Sequence, residues 1–114
     1  MSQQDLATMI TKASVFNTVV TANTDILPSD LSPTRNPATF RIYACFSVGG
    51  VLTVRRTRGG VTVSEQLNSG TALAANSAYM FDIIVEAGDT INIQYSVNAT
   101  CICLKIVEIG IMIG

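Results

Sequence analysis

The chain has 114 residues and a formal net charge of −1, with 48% hydrophobic and only 13% charged residues. This length suits one domain, and so apolar a composition excludes a disordered chain. The near-zero charge gives no field that attracts nucleic acid or an anionic membrane, and no apolar run approaches the roughly 20 residues of a membrane span. We expect one globular domain without nucleic-acid or membrane partners.

The scarcity of charge also bears on association between subunits. A typical soluble domain has roughly 25% charged residues, and the cores of protein interfaces are depleted in Lys, Glu and Asp. We expect another subunit to cover part of the surface, and the alternative is a stable monomer with a Ser, Thr and Asn surface. The N-terminus lacks the basic and apolar regions of a secretory signal, so we expect synthesis in the cytoplasm.

The N-terminal residues 1–13 have two interpretations. Leu6, Met9, Ile10 and Ala13 stand at helical spacing. They therefore fit a short amphipathic helix, but a mobile arm that docks on a neighbour fits equally well. The β-forming residues from Ser14 to Ala22 predict the first strand. The expected division is an arm or helix at 1–13 and a single β-sandwich domain at 14–114.

The segment 23–38 is the least regular part of the sequence. It contains the only prolines of the chain, Pro28, Pro33 and Pro37. Each proline removes a backbone donor and biases the preceding residue toward extended geometry. We expect a long ordered loop or an extended segment draped over the domain, and loops of this length are often functional.

Apolar and polar residues alternate in short runs after Ala38, which is the pattern of half-buried strands. Gly49-Gly50 and Gly59-Gly60 predict tight hairpins, and Ala87-Gly88-Asp89 predicts a turn. The spacing of about ten residues, without intervening helices, predicts an all-β fold: an antiparallel β-sandwich or jelly roll of about eight strands. The runs lie at 40–48, 52–55, 61–64, 79–86, 91–97 and 101–106.

Several strands carry apolar residues on a face that a sandwich does not bury. Met80 and Ile84 share a face with Asp82, and the tail at 109–114 has no charge. Only one face of each sheet is buried in a sandwich, so these residues need a partner. We expect the tail to lie at a subunit interface, or alternatively to fold back as an edge strand. The candidate interface residues are Leu6, Met9, Ile10, Met80, Ile84, Ile109, Ile111, Met112 and Ile113.

The sequence favours no catalytic site. It contains no histidine, which removes Ser-His-Asp and Cys-His activation and imidazole as a metal ligand. Asp82 and Glu86 would lie roughly 13 Å apart along a strand, too far for a glycosidase pair. We expect no enzymatic activity, cofactor or metal.

The three cysteines, Cys45, Cys101 and Cys103, are expected to pack in the core. Their odd number does not suggest a disulfide framework. A structural zinc site needs four ligands, so the chain offers too few soft donors.

Arg55, Arg56 and Arg58 form the one cluster of like charge, beside Gly59-Gly60. Adjacent strand residues point to opposite faces, so Arg55 and Arg56 do not form one patch. We expect an inter-subunit salt bridge or a solvated hairpin, and a phosphate or sialic-type anion is the alternative.

Four sequence stretches resemble small jelly-roll proteins found on the outside of tailed-phage and archaeal-virus capsids. They are Arg41-Ile42-Tyr43, Gly50-Val51-Leu52-Thr53-Val54-Arg55-Arg56-Thr57, Leu67-Asn68-Ser69-Gly70 and Gly88-Asp89-Thr90-Ile91-Asn92-Ile93-Gln94-Tyr95-Ser96. The Gly-Asp-Thr-Ile stretch is also similar to trimeric jelly rolls of the tumour-necrosis-factor type.

The resemblance implies a trimeric capsid decoration or cement protein on the virion surface, made in the host cytoplasm. Its partners would be copies of itself and the major capsid protein or other shell subunits, gripped by the N-terminal arm or the proline-bearing loop. Two other functions stay open. One is a ligand- or receptor-binding module, suggested by the loops at 23–38 and 66–78. The other is a filament subunit that donates a terminal strand to its neighbour.

Overall fold

The computed structural model describes residues 7–111, which form two antiparallel sheets around one shared core. The four-stranded sheet has the order β1-β7-β2-β5, and the three-stranded sheet has the order β4-β3-β6. The expected all-β sandwich is confirmed, with seven strands and one 3-10 turn, Asn68–Gly70, in the described residues. The strands are β1 (Ala7–Val20), β2 (Ala38–Phe46), β3 (Leu52–Arg58), β4 (Val61–Gln66), β5 (Tyr79–Val85), β6 (Thr90–Tyr95) and β7 (Ala99–Ile111).

The N-terminal helix is a wrong prediction for residues 7–13, because β1 begins at Ala7. The register of β1 against β7 shifts between Thr11 and Ala13. A β-bulge adds one residue to a strand and reverses the alternation beyond it. This shift interrupts the period of two, so the apolar residues on either side of it stand at a spacing that resembles that of a helix. The sandwich domain therefore includes residues 7–13, and residues 1–6 lie outside the described part of the chain.

The apolar tail continues β7 as far as Ile111. Met9 pairs with Ile109, and Ala7 pairs with Ile111. Because β7 lies between β1 and β2, this part of the tail belongs to a central strand. For 109–111 the tail does lie in a sheet of its own chain, as the alternative expected, but in a central strand rather than at an edge, since the early start of β1 gives these residues a partner. Residues 112–114 lie outside the described part of the chain.

The core lies between the two sheets and follows from strict alternation along β2. Every second residue from Ala38 to Phe46 is buried, and the residues between them are only partly covered. The ring of Phe46 stacks on Tyr95 of β6 with centroids 3.8 Å apart, and the Tyr95 hydroxyl donates to the Val48 carbonyl at 2.8 Å. This stack joins one sheet to the other.

The two glycine pairs have different roles. Gly59 and Gly60 have φ values of 58° and 81° and form the hairpin between β3 and β4, as predicted. The predicted hairpin at Gly49-Gly50 is wrong, because β2 and β3 belong to different sheets. A Cβ on Gly50 would lie 2.9 Å from the Tyr95 ring. Glycine is needed there for close packing where the chain crosses between sheets.

The proline segment, residues 23–37, runs along the free edge of β6. Asn23 and Ile26 donate backbone hydrogen bonds to Tyr95 and Ile93 at 2.7 and 2.8 Å, and Leu31 exchanges two with Ile91. The draped extended segment is therefore confirmed. It satisfies backbone groups that an open sheet edge would leave exposed.

Truncation of a core residue on β7 should destabilise the fold far more than truncation of its surface neighbour. Leu104 is fully buried, whereas Ile102 is 38% exposed. We expect Leu104→Ala to lower the free energy of unfolding by about 2–5 kcal/mol, because it leaves a cavity. Ile102→Ala should cost about 1 kcal/mol or less. Urea denaturation measures both, and equal losses would contradict this core.

Candidate interaction surface

The four-stranded sheet turns one side away from the core, and this outer face is largely apolar. The register aligns Ile84 of β5, Thr39 of β2, Ile109 of β7 and Met9 of β1 in one row across the sheet. A second row contains Met80, Tyr43, Lys105 and Ser14, and Phe16 lies beyond it beside Cys103. The outer face is defined here by Met9, Phe16, Tyr43, Met80, Ile84 and Ile109.

Four large apolar side chains of the outer face are open to solvent. Ile84 is 63% exposed, Phe16 60%, Met9 56% and Met80 54%. Met80 and Ile84 lie on one edge strand of the sheet and Met9 and Phe16 on the other, with half-buried Tyr43 and Ile109 on the strands between them. Scattered exposed apolar residues are ordinary, but several on one face of a sheet indicate a candidate interaction surface.

The outer face contains little charge. Arg41 lies opposite Asp82 on the neighbouring strand and donates two hydrogen bonds to its carboxylate, at 2.9 and 3.0 Å. This bidentate pair cancels both charges locally. Arg41 and Asp82 lie with Val107 and Thr11 in the row between the two described above, and Lys105 is the charged residue of the second row.

The structure places four of the interface residues expected from sequence on the outer face: Met9, Met80, Ile84 and Ile109. Ile10 is half-buried and pairs with Glu108 on the opposite side of the sheet. Ile111 pairs with Ala7 at the end of β7. Leu6, Met112 and Ile113 lie outside the described residues. Sequence reasoning missed Phe16, because the bulge in β1 hid which side of the strand it occupies.

Arg55 and Arg56 lie on opposite sides of β3, as the sequence indicated. Arg55 pairs with Asp25 at 2.9 Å and Asp30 at 2.6 Å, and so ties the proline segment to the three-stranded sheet. Arg56 pairs with Glu65 and Asp89, each at 2.9 Å.

The ion pairs of all three arginines form within the chain, because Arg58 also pairs with Asp89 and with Glu86. Each guanidinium already donates to carboxylates, so the cluster holds loops in place rather than presenting free positive charge to an anion.

Asp89 is the centre of this network. Its side chain is fully buried and receives hydrogen bonds from Arg56, Arg58 and the Glu86 backbone N–H. The hydrogen bond from Arg58 is the main cause that holds the pKa of Asp89 well below its ordinary value, against the opposing effect of burial. This carboxylate therefore fixes the turn between β5 and β6 against β3. From the sequence, only a turn was predicted here.

A second buried carboxylate, Glu108, fastens the proline segment to β7. Its oxygens accept hydrogen bonds from the Thr34 backbone N–H at 2.9 Å, from the Thr34 hydroxyl and from Arg35 at 3.2 Å. Lys12 of the β1 bulge lies 3.6 Å away. Burial by itself raises the pKa of Glu108. The hydrogen bonds from Thr34 and the positive charges of Lys12 and Arg35 lower it, and the pKa lies below its ordinary value.

The three cysteines are free thiols in neighbouring positions on β2 and β7. Cys45 pairs with Cys103 across the strands, and both are partly covered. Cys101 is buried, and burial raises its pKa to about 11. A thiol of this kind is unreactive at neutral pH. Within residues 7–111, no three carboxylate or thiol side chains converge as metal ligands.

A small groove lies between the bulged part of β1 and the proline segment. It has a volume of about 190 Å³. Pockets for small-molecule ligands usually measure about 300–1,000 Å³, so this groove fits a side chain better than a ligand. Its lining residues are Lys12, Ala13, Ser14, Val15, Leu27, Pro28, Ser29 and Leu31.

Comparison with known proteins finds no matching family model and no significant match among curated proteins. Among the described residues, no helix is long and apolar enough to cross a membrane. Within the described residues, the outer face carries four large exposed apolar side chains, Met9, Phe16, Met80 and Ile84.

Removal of the Asp89 charge should destabilise the fold strongly. We expect Asp89→Asn to lower the free energy of unfolding by about 3 kcal/mol at pH 7, because Arg56 loses a buried partner. Glu86→Gln is the matched control on the same turn, since Glu86 is exposed and surface pairs contribute about 0–1 kcal/mol. Equal effects in urea denaturation would refute the role of Asp89.

The pH dependence of stability tests the same carboxylate. A pKa lowered in the folded state stabilises the fold above the unfolded pKa, which is about 3.9 for Asp. This contribution is lost as pH falls through the lower folded value. Unfolding experiments below about pH 4 should therefore show a steep loss of stability in the native chain and a shallower loss in Asp89→Asn. Parallel curves would contradict this assignment.

Proposed function

We propose that this protein is a non-enzymatic, self-associating structural protein of a viral shell, and that the outer face of the four-stranded sheet is its main contact surface. The observation that carries the proposal is the exposure of Met9, Phe16, Met80 and Ile84 on one face, where Arg41 and Asp82 pair with each other and Lys105 is the remaining charge. Burial of apolar surface contributes about 25 cal/mol per Å², so covering this face favours association.

The winding of the chain supports a jelly roll as the finer description of the sandwich. The proline segment bonds to the free edge of β6 and so occupies a fourth strand position in the second sheet. With that position included, every connection except the β3–β4 hairpin crosses from one sheet to the other. Eight strand positions in two antiparallel sheets are the architecture of jelly rolls in viral capsid proteins.

The two sheets differ on their outer sides, which supports a module that uses one side only. The outer side of the three-stranded sheet presents Thr53, Arg55 and Thr57 on β3, beside Thr62 and Ser64 on β4. Polar and charged side chains of this kind are ordinarily exposed to solvent. One side of the protein therefore faces solvent, as a decoration protein on a shell would require, while the other is available for contact.

The proposed partners are copies of this chain and the subunits of the shell, with the virion surface as the location and the host cytoplasm as the site of synthesis. The resemblance in the strand and turn sequences favours a trimer. Clustering of genes for capsid subunits beside the gene for this chain would agree with the virion role.

The two other functions have less support. The small volume of the groove beside β1 disfavours a ligand-binding module. In the described residues, β1 and β7 pair with each other inside the same chain, which disfavours donation of either strand to a neighbour.

A charged residue on the outer face should break the oligomer. We expect Ile84→Glu to weaken association about tenfold or more, because it places a carboxylate in an apolar contact. Val61→Glu is the matched control, since Val61 is 66% exposed on β4 and Ile84 is 63% exposed on β5. Size-exclusion chromatography with light scattering, on the full chain across the micromolar range, measures the molar mass.

The proposal predicts an oligomer for the native chain and for Val61→Glu, and dissociation for Ile84→Glu. A native chain that is monomeric throughout this range would refute self-association. Equal dissociation of both variants would show that the contact does not lie on the outer face.

A further inference from the structure

The free edge of β5 has few of the features that normally protect a sheet edge. Natural edge strands are guarded by charged side chains, Pro, bulges or covering segments. The seven residues Tyr79–Val85 contain no Pro, Gly, Lys or Arg, and they pair with β2 without a register shift. Apart from the charge of Asp82 and the Arg56 side chain that binds the Ile84 carbonyl, this edge is open to pairing with another strand.

The other sheet edges of the described chain are less suited to pairing. β1 carries Lys12, a register shift and Asn17 with a φ of 49°. The edge of β6 is covered by the proline segment. The edge strand β4 alternates Val61 and Val63 with hydroxyl side chains, so it offers less apolar surface.

The hydrogen-bonding groups at the free edge of β5 can be identified. The Ile84 carbonyl accepts a hydrogen bond from Arg56 at 2.8 Å, so it points away from β2. In an antiparallel strand, the backbone groups of every second residue point to the same side. The N–H and C=O groups of Met80 and Asp82 therefore also face the free edge.

The apolar pattern of β5 is symmetric about Asp82, with three apolar residues on each side, which points to a second copy of this chain as the occupant. A two-fold contact requires that residue i meets residue j and that j meets i. Antiparallel pairing centred on Asp82 places Met80 opposite the second copy's Ile84 and Phe81 opposite its Ile83. Apolar residues then meet on both sides of the sheet.

This arrangement places the two Asp82 side chains opposite each other. Like charges in that position are destabilising. In each copy, however, Arg41 holds Asp82 in a bidentate ion pair. The contact between the copies therefore brings together two Arg41–Asp82 ion pairs rather than two unpaired carboxylates.

We propose that two copies of this chain pair antiparallel through the free edge of β5, centred on Asp82, and join their four-stranded sheets into one continuous eight-stranded sheet. The inference rests on the proposed self-association, and names the strand that mediates it. It replaces the expected trimer with a two-fold contact that continues the apolar outer face across both copies.

Proline substitution at Asp82 tests the pairing, because it removes a backbone donor from the free edge. We expect Asp82→Pro to raise the dissociation constant of the full-length protein about tenfold or more. Asp82→Ala also loses the ion pair but keeps the donor, so it should stay associated. Light scattering gives the mass, and circular dichroism establishes that each variant is folded.

Hydrogen exchange on the native chain gives a second measurement that needs no variant. The amides of Met80 and Asp82 should be protected at concentrations where the protein is associated and should lose that protection on dilution. An oligomer in which these amides exchange at the rate of the dilute monomer would overturn the edge pairing while leaving the proposed function standing. A trimer would do the same. A chain that is monomeric at every concentration would overturn both.

A third experiment tests whether the pairing of the two β5 strands is centred on Asp82. Arg41→Gln leaves two unneutralised carboxylates facing each other, so we expect weaker association. The double variant Arg41→Gln/Asp82→Asn removes those charges and should restore it. Unchanged affinity in Arg41→Gln would overturn the register centred on Asp82.

Discussion

Antiparallel pairing of β7 with both β1 and β2 is the constraint on which the rest of the structure depends. Because side chains alternate along a strand, one register decides every residue that enters the core and every residue that faces outward. The register that buries Phe40, Ile42 and Leu104 also aligns Met9, Ile109 and Ile84 across the outer face. The apolar surface is therefore a direct consequence of the same pairing that forms the core.

Buried carboxylates hold the loops of this sandwich to its sheets. Asp89 joins the β5–β6 turn to two arginines of β3, and Glu108 joins the proline segment to β7. Arg55 adds a third attachment through Asp25 and Asp30. Many of the few charged residues therefore form ion pairs within the chain. The outer face of the four-stranded sheet keeps only the Arg41–Asp82 pair and Lys105 in its central rows, and this leaves it suited to contact with protein.

The sequence predicted most strands, because alternation and turn residues are local signals. It also predicted that Met80, Ile84 and Ile109 lie on a face turned away from the core, since apolar residues at these positions interrupt the alternation of a strand with one buried face. Three features depended on contacts distant in sequence. The β1 bulge imitated a helix, Gly49-Gly50 serves close packing against Tyr95 rather than a hairpin, and Glu108 is buried by Thr34 and Arg35 from another segment. Local patterns contain no information about such partners.

The central claim is that the outer face is covered in the native protein, and methionine oxidation tests it most directly. Met9 and Met80 are 56% and 54% exposed in a single chain, and peroxide oxidises accessible thioethers to sulfoxides. Mass spectrometry of peptides from the native protein should show slow oxidation of Met9 and Met80 at concentrations where it is associated, and faster oxidation after dilution. Oxidation at the rate of the denatured chain, at every concentration, would contradict the account.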